Sequence, residues 1–316
     1  MLLSPFLMHI PDGFLSTTVS LFFWVLTVIA VSLSLKRVNK DLGERQVPLM
    51  GVLAAAIFAG QMLNFAVAGG TSGHLMGAAI ATILLGPWAA MLILTCVVSI
   101  QALIFQDGGL LVMGANIFNM GVVGVTVSYF TYQTLRRILG TQRWAVLTAG
   151  FAAAWLSIEV AALVVALQLS ISGSAPVNIA IPAMAGIHAV IGLGEGLITV
   201  GALAFLYATR RDLIESGSAP APAGRLIWGV GLLLAVGIAA LAPLASANPD
   251  GLEWVAKQNG FLKLAQAPTY NLLPNYMIPG VSNTALATII AGVIGALIVA
   301  GVAFGVAYLR RRSSRP

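Results

Sequence analysis

Three histidines, His9, His74 and His188, supply all the imidazole groups of this 316-residue chain. The first follows Met8 directly, in the stretch MHIPDGF. If translation starts at Met8, its free α-amine, the backbone nitrogen of His9 and the ring nitrogen of His9 can wrap one metal ion in fused chelate rings. Because the amide must lose its proton to bind, this set favours Ni(II) or Cu(II) in a square plane of nitrogens, which one more imidazole would complete. A solvated terminal histidine is the alternative.

His74 is the predicted source of the fourth nitrogen. It follows an irregular stretch containing Gly69, Gly70 and Gly73 at the end of an apolar segment. Non-helical backbone at membrane depth is tolerated where it is buried in protein or lines a cavity. A metal ligand and a purely structural histidine fit this position equally well. The side chains predicted to fix the tautomer of its imidazole are Asn64, Thr71 and Ser72.

The other ionisable groups inside apolar segments are few. His188 and Glu195 are seven residues apart, which favours one helix face and a buried polar pair. Glu159 is alone in its segment and is predicted to bond a neighbouring helix. No H-E-x-x-H, no paired carboxylates at catalytic spacing and no serine with a plausible base occur. An enzyme is therefore not expected, although three converging histidines on zinc would define a membrane metalloenzyme as an alternative.

The elements that must position these residues follow from composition. The chain is 59% hydrophobic and 8% charged, whereas soluble domains carry about 25% charged residues. The single cysteine, Cys96, excludes a disulfide framework. We therefore predict an all-α polytopic membrane bundle. Its predicted spans are 16–35, 47–67, 74–86, 87–105, 110–135, 144–171, 184–209, 226–246 and 284–309, with 74–86 short and broken from its neighbour by Gly86-Pro87.

The basic residues predict the orientation of the bundle. They follow the first, fifth, seventh and ninth spans and fall on one side only if nine spans are counted with the N-terminus outside. That side is the cytoplasm by the positive-inside rule, so the net charge of +6 reflects membrane orientation and not nucleic-acid binding. We expect a multi-pass protein of the cell membrane with a cytoplasmic C-terminus. The clusters are Lys36, Arg37, Lys40 and Arg45; Arg136, Arg137 and Arg143; Arg210, Arg211 and Arg225; and Arg310 to Arg312.

A composition shift divides the chain into two membrane units. The stretch SGSAPAPAG lies within a predicted linker at 212–225. Before it, residues 8–211 form a seven-span core; after it, residues 226–316 form a two-span hairpin with an external loop at about 247–283. Residues 1–7, MLLSPFL, are predicted to be an N-terminal extension that a misassigned start codon or later trimming would remove.

Several long motifs resemble one family. MHIPDGFLS, NFAVAGGTSGHLMGAAIATILLGPWAA, IFQDGGLLVMGANIFNMG and GIHAVIGLGEGLIT resemble the CbiM/NikM substrate-binding membrane subunits of energy-coupling-factor transporters for cobalt and nickel. NPDGLEWVAKQNGF resembles the PDGLE domain, a two-span accessory component with a CbiN/NikN-like role. The resemblance implies that the ion is bound by the amine of Met8, the backbone and ring nitrogens of His9, and His74, with the N-terminal segment inserted into the bundle.

The same resemblance implies the partners. Family members import Co²⁺ or Ni²⁺ with a transmembrane coupling (T) component and two cytoplasmic ABC ATPases, which agrees with the lack of a G-x-x-x-x-G-K-[ST] motif here. We expect no catalytic residues and no cofactor, with the metal ion as cargo. An autonomous channel or ion-coupled carrier is the alternative function, and cobalt against nickel stays open. The preceding MLLSPFL departs from the family, whose chains begin at the methionine of MHI, so the amine ligand requires a chain that begins at Met8. The alternative is a chain that keeps these residues and has an altered site with weaker metal binding.

Overall fold

The computed structural model describes residues 8–38, 46–214, 225–270 and 272–313. The predicted extension at 1–7 and most of the predicted linker lie outside the described residues. The described chain is mainly helical, as predicted. The longer elements are α1 Thr17–Val38, α2 Gln46–Gln61, β1 Phe65–Val67, β2 Thr71–Gly73, α3 Ala78–Ile100, α4 Met113–Ile117, α5 Val125–Leu139, α6 Arg143–Ile171, α7 Val177–Thr209, α8 Arg225–Ala240, α9 Gly251–Gln258 and α10 Thr284–Ser313.

Short π-helical and 3₁₀-helical segments join these elements. A π-helix continues α3, and a second π-helix joins α4 to α5, so that the predicted span at 110–135 is one run of helical turns from 113 to 139. The π-helices are Gln101–Phe105 and Phe118–Gly124, and the 3₁₀ turns are Arg211–Leu213, Ala242–Leu244, Leu262–Leu264 and Pro274–Tyr276.

The membrane character is confirmed, but the division into seven plus two spans is not. Within the described residues, five helices are long and apolar enough to cross a membrane, and two apolar helices are shorter. The five are Thr17–Val38, Ala78–Phe105, Arg143–Ile171, Val177–Thr209 and Thr284–Arg311; the shorter ones are Gln46–Gln61 and Gly229–Leu244.

Helix α3 folds back on itself at Gly86, where φ is 77° and ψ is 169°. Just before the helix, the carbonyl of Met76 accepts a hydrogen bond from Gln61 at 3.0 Å; just after it, the ring of Phe105 lies 5.4 Å from that of Phe58. Both ends therefore contact the last turn of α2, although 28 straight helical residues would separate them by about 42 Å. The predicted break at Gly86-Pro87 is present. The first arm, at about 12 Å, is too short to cross a hydrocarbon core of about 30 Å.

A two-stranded antiparallel hairpin, β1–β2, follows α2 and explains why that helix ends at Gln61 and not at 67. Gly69 and Gly70 form its turn with φ of 86° and 77°, values that glycine adopts without strain. Ser72 also forms a parallel bridge with Asp250 of the C-terminal region. The predicted irregular stretch before His74 is thus a hairpin whose second strand pairs with the other domain.

The C-terminal domain packs into the bundle. A Cβ on Gly51 would lie 2.9 Å from the carbonyl oxygen of Ala300, so α2 and α10 approach each other with backbone almost in contact. In the same way, Gly295 of α10 leaves room for the ring of Phe58. Small residues allow such close approach between helices in lipid. Helices α8 and α10 consequently cover one side of α2, and the described parts of the two domains form one packed unit.

Candidate metal centre

The N-terminal segment is folded into the bundle. Met8, His9 and Ile10 are all buried. The amide of Ile10 donates to Oδ1 of Asn116 at 3.1 Å, and Nδ2 of Asn116 donates to the carbonyl of Ile10 at 3.1 Å. The amide of Gly109 donates to the same carbonyl at 3.0 Å. The segment is therefore held by its backbone, as a short strand would be, beside the loop that follows α3.

The turn after His9 completes the docking. The carboxylate of Asp12 accepts the amide hydrogens of Leu110, Leu111 and Val112 at 3.0, 2.9 and 3.1 Å. Its carbonyl accepts from the amide of Gln266 in the C-terminal domain at 2.8 Å. The aspartate side chain therefore joins the segment to the 110–112 loop.

The three predicted ligand residues lie together. Met8, His9 and His74 border one cavity of about 90 Å³. The rings of His9 and His74 are stacked with centroids 5.6 Å apart and an interplanar angle of 28°. Nε2 of His74 lies 3.3 Å from the carbonyl oxygen of Met8. The segment and the hairpin are thus in contact through the groups that we expected to bind the ion.

Asp107 is the acidic residue at this site that sequence reasoning missed. Its Oδ1 accepts the amide hydrogen of Met8 at 3.0 Å and lies 3.1 Å from Nδ1 of His9, so two of the predicted ligand nitrogens face one carboxylate oxygen. Tyr276 of the C-terminal domain donates to Oδ2 at 2.6 Å. Burial alone would raise the pKa of Asp107, but His9 and these hydrogen bonds lower it, so the residue is an anion. The signal was available, because it is one of ten acidic residues and stands in the quoted motif IFQDGG.

His74 is held from both sides of its ring. Nδ1 lies 3.0 Å from the carbonyl of Leu75, and Nε2 faces the carbonyl of Met8. Burial lowers the pKa of His74, but the negative charge of Asp250, the bond to Leu75 and the charge of Asp107 outweigh it, and the pKa is raised. Both neighbours of the ring are acceptors, which is the arrangement that suits a protonated imidazole.

None of the three side chains predicted to support His74 forms a hydrogen bond to its ring among the described residues. The hydroxyls of Thr71 and Ser72 lie 3.0 and 3.3 Å from the carbonyl of Pro249, and so they join the hairpin to the C-terminal domain. Oδ1 of Asn64 is buried without a hydrogen-bond partner among the described residues. The physical reason for Thr71 and Ser72 is that β2 pairs with the C-terminal domain, so that both hydroxyls bond its backbone.

The predicted pair between His188 and Glu195 is wrong. The carboxylate of Glu195 accepts the amide hydrogens of Met76 and Gly77 at 2.7 and 2.9 Å, at the start of α3. Nδ1 of His188 instead bonds the carbonyl of Met184 at 2.7 Å within its own helix. His188 nevertheless borders the same cavity as the other two histidines, which places it closer to the site than its sequence position indicated.

The remaining polar groups do not add a ligand set. Oε2 of Glu159 has no hydrogen-bond partner among the described residues, so the predicted bond to another helix is not found there. Cys96 is a buried free thiol. In the described part of the chain, no three side chains of His, Cys, Asp or Glu are grouped so that they could hold a metal ion. Tight binding at this site would therefore have to use backbone nitrogens as well as imidazole.

Comparisons with known proteins identify the family of the chain. Residues 9–213 match the family model described as the cobalt uptake substrate-specific transmembrane region, and residues 225–312 match the PDGLE domain. The chain is 37% identical to a putative fused nickel transport protein NikMN of Archaeoglobus fulgidus, covering 94% of this chain and 97% of that one. It is 32% identical to the fused nickel transport protein NikMN of Rhodobacter capsulatus, covering 97% and 100%.

One solved structure, a truncated transition metal transporter, has 33% identity and a TM-score of 0.57, covering 64% of this chain and 99% of its own. Because the family model spans more than half of the chain and the fused relatives span nearly all of it, the chain belongs to the family of cobalt uptake substrate-specific transmembrane regions, with a PDGLE domain at its C-terminal end.

Proposed function

We propose that this chain is the substrate-specificity membrane subunit of an ATP-driven importer of the energy-coupling-factor type, which captures Co²⁺ or Ni²⁺ and moves it into the cytoplasm. One observation carries the proposal: the inward-folded segment brings Met8, His9 and His74 to a single buried cavity. The metal named for the fused relatives is nickel, and the family description names cobalt.

The proposed ligands are nitrogens of Met8, His9 and His74. Two of them now face Oδ1 of Asp107, and Nε2 of His74 faces a carbonyl oxygen. Capture therefore replaces protons on these nitrogens by the ion, while Asp107 stays close enough to compensate positive charge. In a chain that begins at Met8, the free amine becomes available for this purpose. Amine, amidate and imidazole nitrogens bind Ni(II) more tightly than Co(II) by the Irving–Williams order.

The proposed energy source is external to the chain. We infer that a transmembrane coupling component and two cytoplasmic ATPases drive release, because the sequence contains no P-loop. The proposed orientation has the metal centre outside. In support, Arg310 at the end of α10 bonds the carbonyl of Leu35 at 2.8 Å, while Arg143 and Arg211 both approach the ring of Tyr207. These cations lie at the helix ends far from the N-terminal segment.

Uptake into vesicles tests the proposal. Proteoliposomes containing the chain, the coupling component and the two ATPases should accumulate radioactive nickel when ATP is present on the ATPase side. Vesicles containing the chain alone should not, because the proposed energy source lies in the partner proteins. Nickel that equilibrates across the membrane with the chain alone would contradict the proposal and favour an autonomous channel or carrier.

A further inference from the structure

The cavity contains one carboxylate besides the three histidines of the chain, and that carboxylate belongs to Asp250 of the C-terminal domain. The two amides in its wall are already engaged, since Asn116 bonds Ile10 and Asn119 bonds Gln168. A cavity needs about 10–15 Å³ to hold one water, so the 90 Å³ here has room for an ion with several waters.

The carboxylate of Asp250 does not form the usual N-cap hydrogen bond to its own helix. Asp250 is the N-cap residue of α9, a position at which aspartate ordinarily accepts an amide hydrogen from the second or third residue of the helix. Its side chain forms no such cap hydrogen bond, and the backbone of the adjacent Gly251 is its hydrogen-bond partner in this helix. The residue is only 7% exposed. Burial raises the pKa of Asp250, and the neighbouring His74 and the hydrogen bond with the backbone of Gly251 oppose that effect. A buried carboxylate is costly unless a cation compensates it.

His188 presents the lone pair of its Nε2 towards the segment that contains Asp250. A carbonyl can only accept, so the 2.7 Å bond to Met184 puts the ring hydrogen on Nδ1 and leaves Nε2 of the neutral ring as an acceptor. A Cβ on Gly251 would lie 3.2 Å from this Nε2. The nitrogen therefore faces the residue next to Asp250, and both side chains line the same cavity.

We propose that His188 and Asp250 form a second cation position in this cavity, which holds a divalent ion, with waters completing its coordination, before the ion reaches the nitrogens of Met8, His9 and His74. The inference rests on the proposed function, because it assumes that those nitrogens are the final site. Two protein ligands bind an ion more weakly than a full set, and a transfer step requires binding that is weak enough to let the ion leave. The C-terminal domain thereby contributes a ligand of its own.

A thiolate placed at this position tests direct contact. The full chain with Asp250→Cys, in lipid nanodiscs, should develop a sulfur-to-cobalt charge-transfer band in the near ultraviolet when Co²⁺ alone is added. Asp212→Cys, a matched change at a carboxylate that bonds Arg210 beyond the end of α7, should give no such band. The same absorption spectrum for both variants at saturating Co²⁺ would overturn the proposal.

The rate of loading supplies the second measurement. Asp250→Asn keeps the size of the side chain and leaves the backbone bridge to Ser72 available. It should slow the loading of Ni²⁺ alone about tenfold or more, while Asp212→Asn loads as the wild type does. Thermal unfolding of both variants shows whether the fold is intact. Unchanged loading by a folded Asp250→Asn protein overturns this inference alone, whereas a wild-type chain beginning at Met8 that binds no Ni²⁺ at all overturns the proposed function.

Discussion

His74 and His188 border the same cavity, yet their roles should separate on substitution. His74 contacts the carbonyl of Met8 and stacks on His9, whereas His188 faces the C-terminal domain. We expect His74→Ala to lower the equilibrium affinity for Ni²⁺ about 100-fold or more, because it removes a ligand of the final site. His188→Ala should leave that affinity within about threefold. Isothermal titration of chains that begin at Met8 measures both, and equal losses would refute the assignment of ligands.

The protonation of His74 gives a prediction about pH. Its pKa is raised above the ordinary value of 6.5, and Asp250 is the largest of the charges that raise it. In the metal-free protein, the NMR titration midpoint of His74 should therefore lie above 6.5 and should fall in Asp250→Asn. Because the ion must displace this proton, Ni²⁺ affinity should decrease as the pH falls through that midpoint. A midpoint below 6.5 in the wild type would contradict the geometry described for this ring.

At the same scale, the sequence indicated which histidines would be considered as metal ligands, but not which acidic residues would lie beside them. Met8 and His9 adjoin each other, and their chelating potential is a local property of the sequence. Asp107 and Asp250 are brought to them only by tertiary structure, since both stand in loops where a solvent-exposed carboxylate is the ordinary expectation. A buried aspartate in a glycine-rich break of an apolar chain is the signal that could have indicated them.

At the scale of elements, the docking of the N-terminal segment depends on Gly13. Its φ is 93°, and a Cβ there would lie 2.0 Å from the carbonyl oxygen of Leu264, which is backbone and cannot move aside cheaply. We expect Gly13→Ala to detach the segment from the C-terminal domain and to reduce Ni²⁺ affinity about tenfold or more. Amide hydrogen exchange of residues 8–14 should increase in parallel.

A matched control separates the backbone strain that Gly13→Ala introduces from its steric conflict with Leu264. Gly140 has a similar φ of 90°, but a Cβ there would meet nothing within 4 Å. Gly140→Ala therefore introduces comparable backbone strain, at the turn between α5 and α6, without a steric conflict. It should lower stability by about 1–2 kcal/mol and leave metal affinity unchanged. If both variants bind Ni²⁺ equally, the contact with Leu264 is not what holds the segment.

The elements themselves were predicted unevenly. Hydropathy located the apolar segments, and Gly86-Pro87 correctly marked a break, because proline cannot continue the hydrogen bonding of a helix and glycine adopts positive φ. Hydropathy did not show that the arm before Gly86 is too short to cross the bilayer, because it does not report where a segment turns back. The hairpin after α2 was likewise missed as secondary structure, because its strands are three residues each.

At the scale of the whole molecule, the orientation can be checked by labelling. Asn259, at the end of α9, and Thr141, between α5 and α6, are both exposed. With the N-terminal segment outside, Asn259→Cys should react with a membrane-impermeant maleimide in intact cells, and Thr141→Cys should react only after permeabilisation. Because Cys96 is buried, the parent chain serves as the unlabelled control. The reverse pattern would invert the proposed topology.

The division of the chain into a core and a hairpin was predicted from the composition of the linker, but their mutual packing was not. The small residues of α10 were visible in the sequence, where they indicate close contact with some helix. Which helix they meet is a long-range property. The structure assigns that contact to α2, so the C-terminal domain shares its core with the remainder of the bundle.

The carboxylate of Glu195 connects helix α7 to the backbone close to His74. Glu195 belongs to α7, which at 33 residues is about 50 Å long. Its carboxylate accepts the amide hydrogens of Met76 and Gly77, two and three residues after His74. In the proposed orientation, the C-terminal end of α7 lies on the cytoplasmic side, and a partner that displaced this end would also displace the backbone beside His74. Under the proposed function, work done by a partner at the inner face of the membrane would thereby reach the proposed metal ligands through one continuous helix.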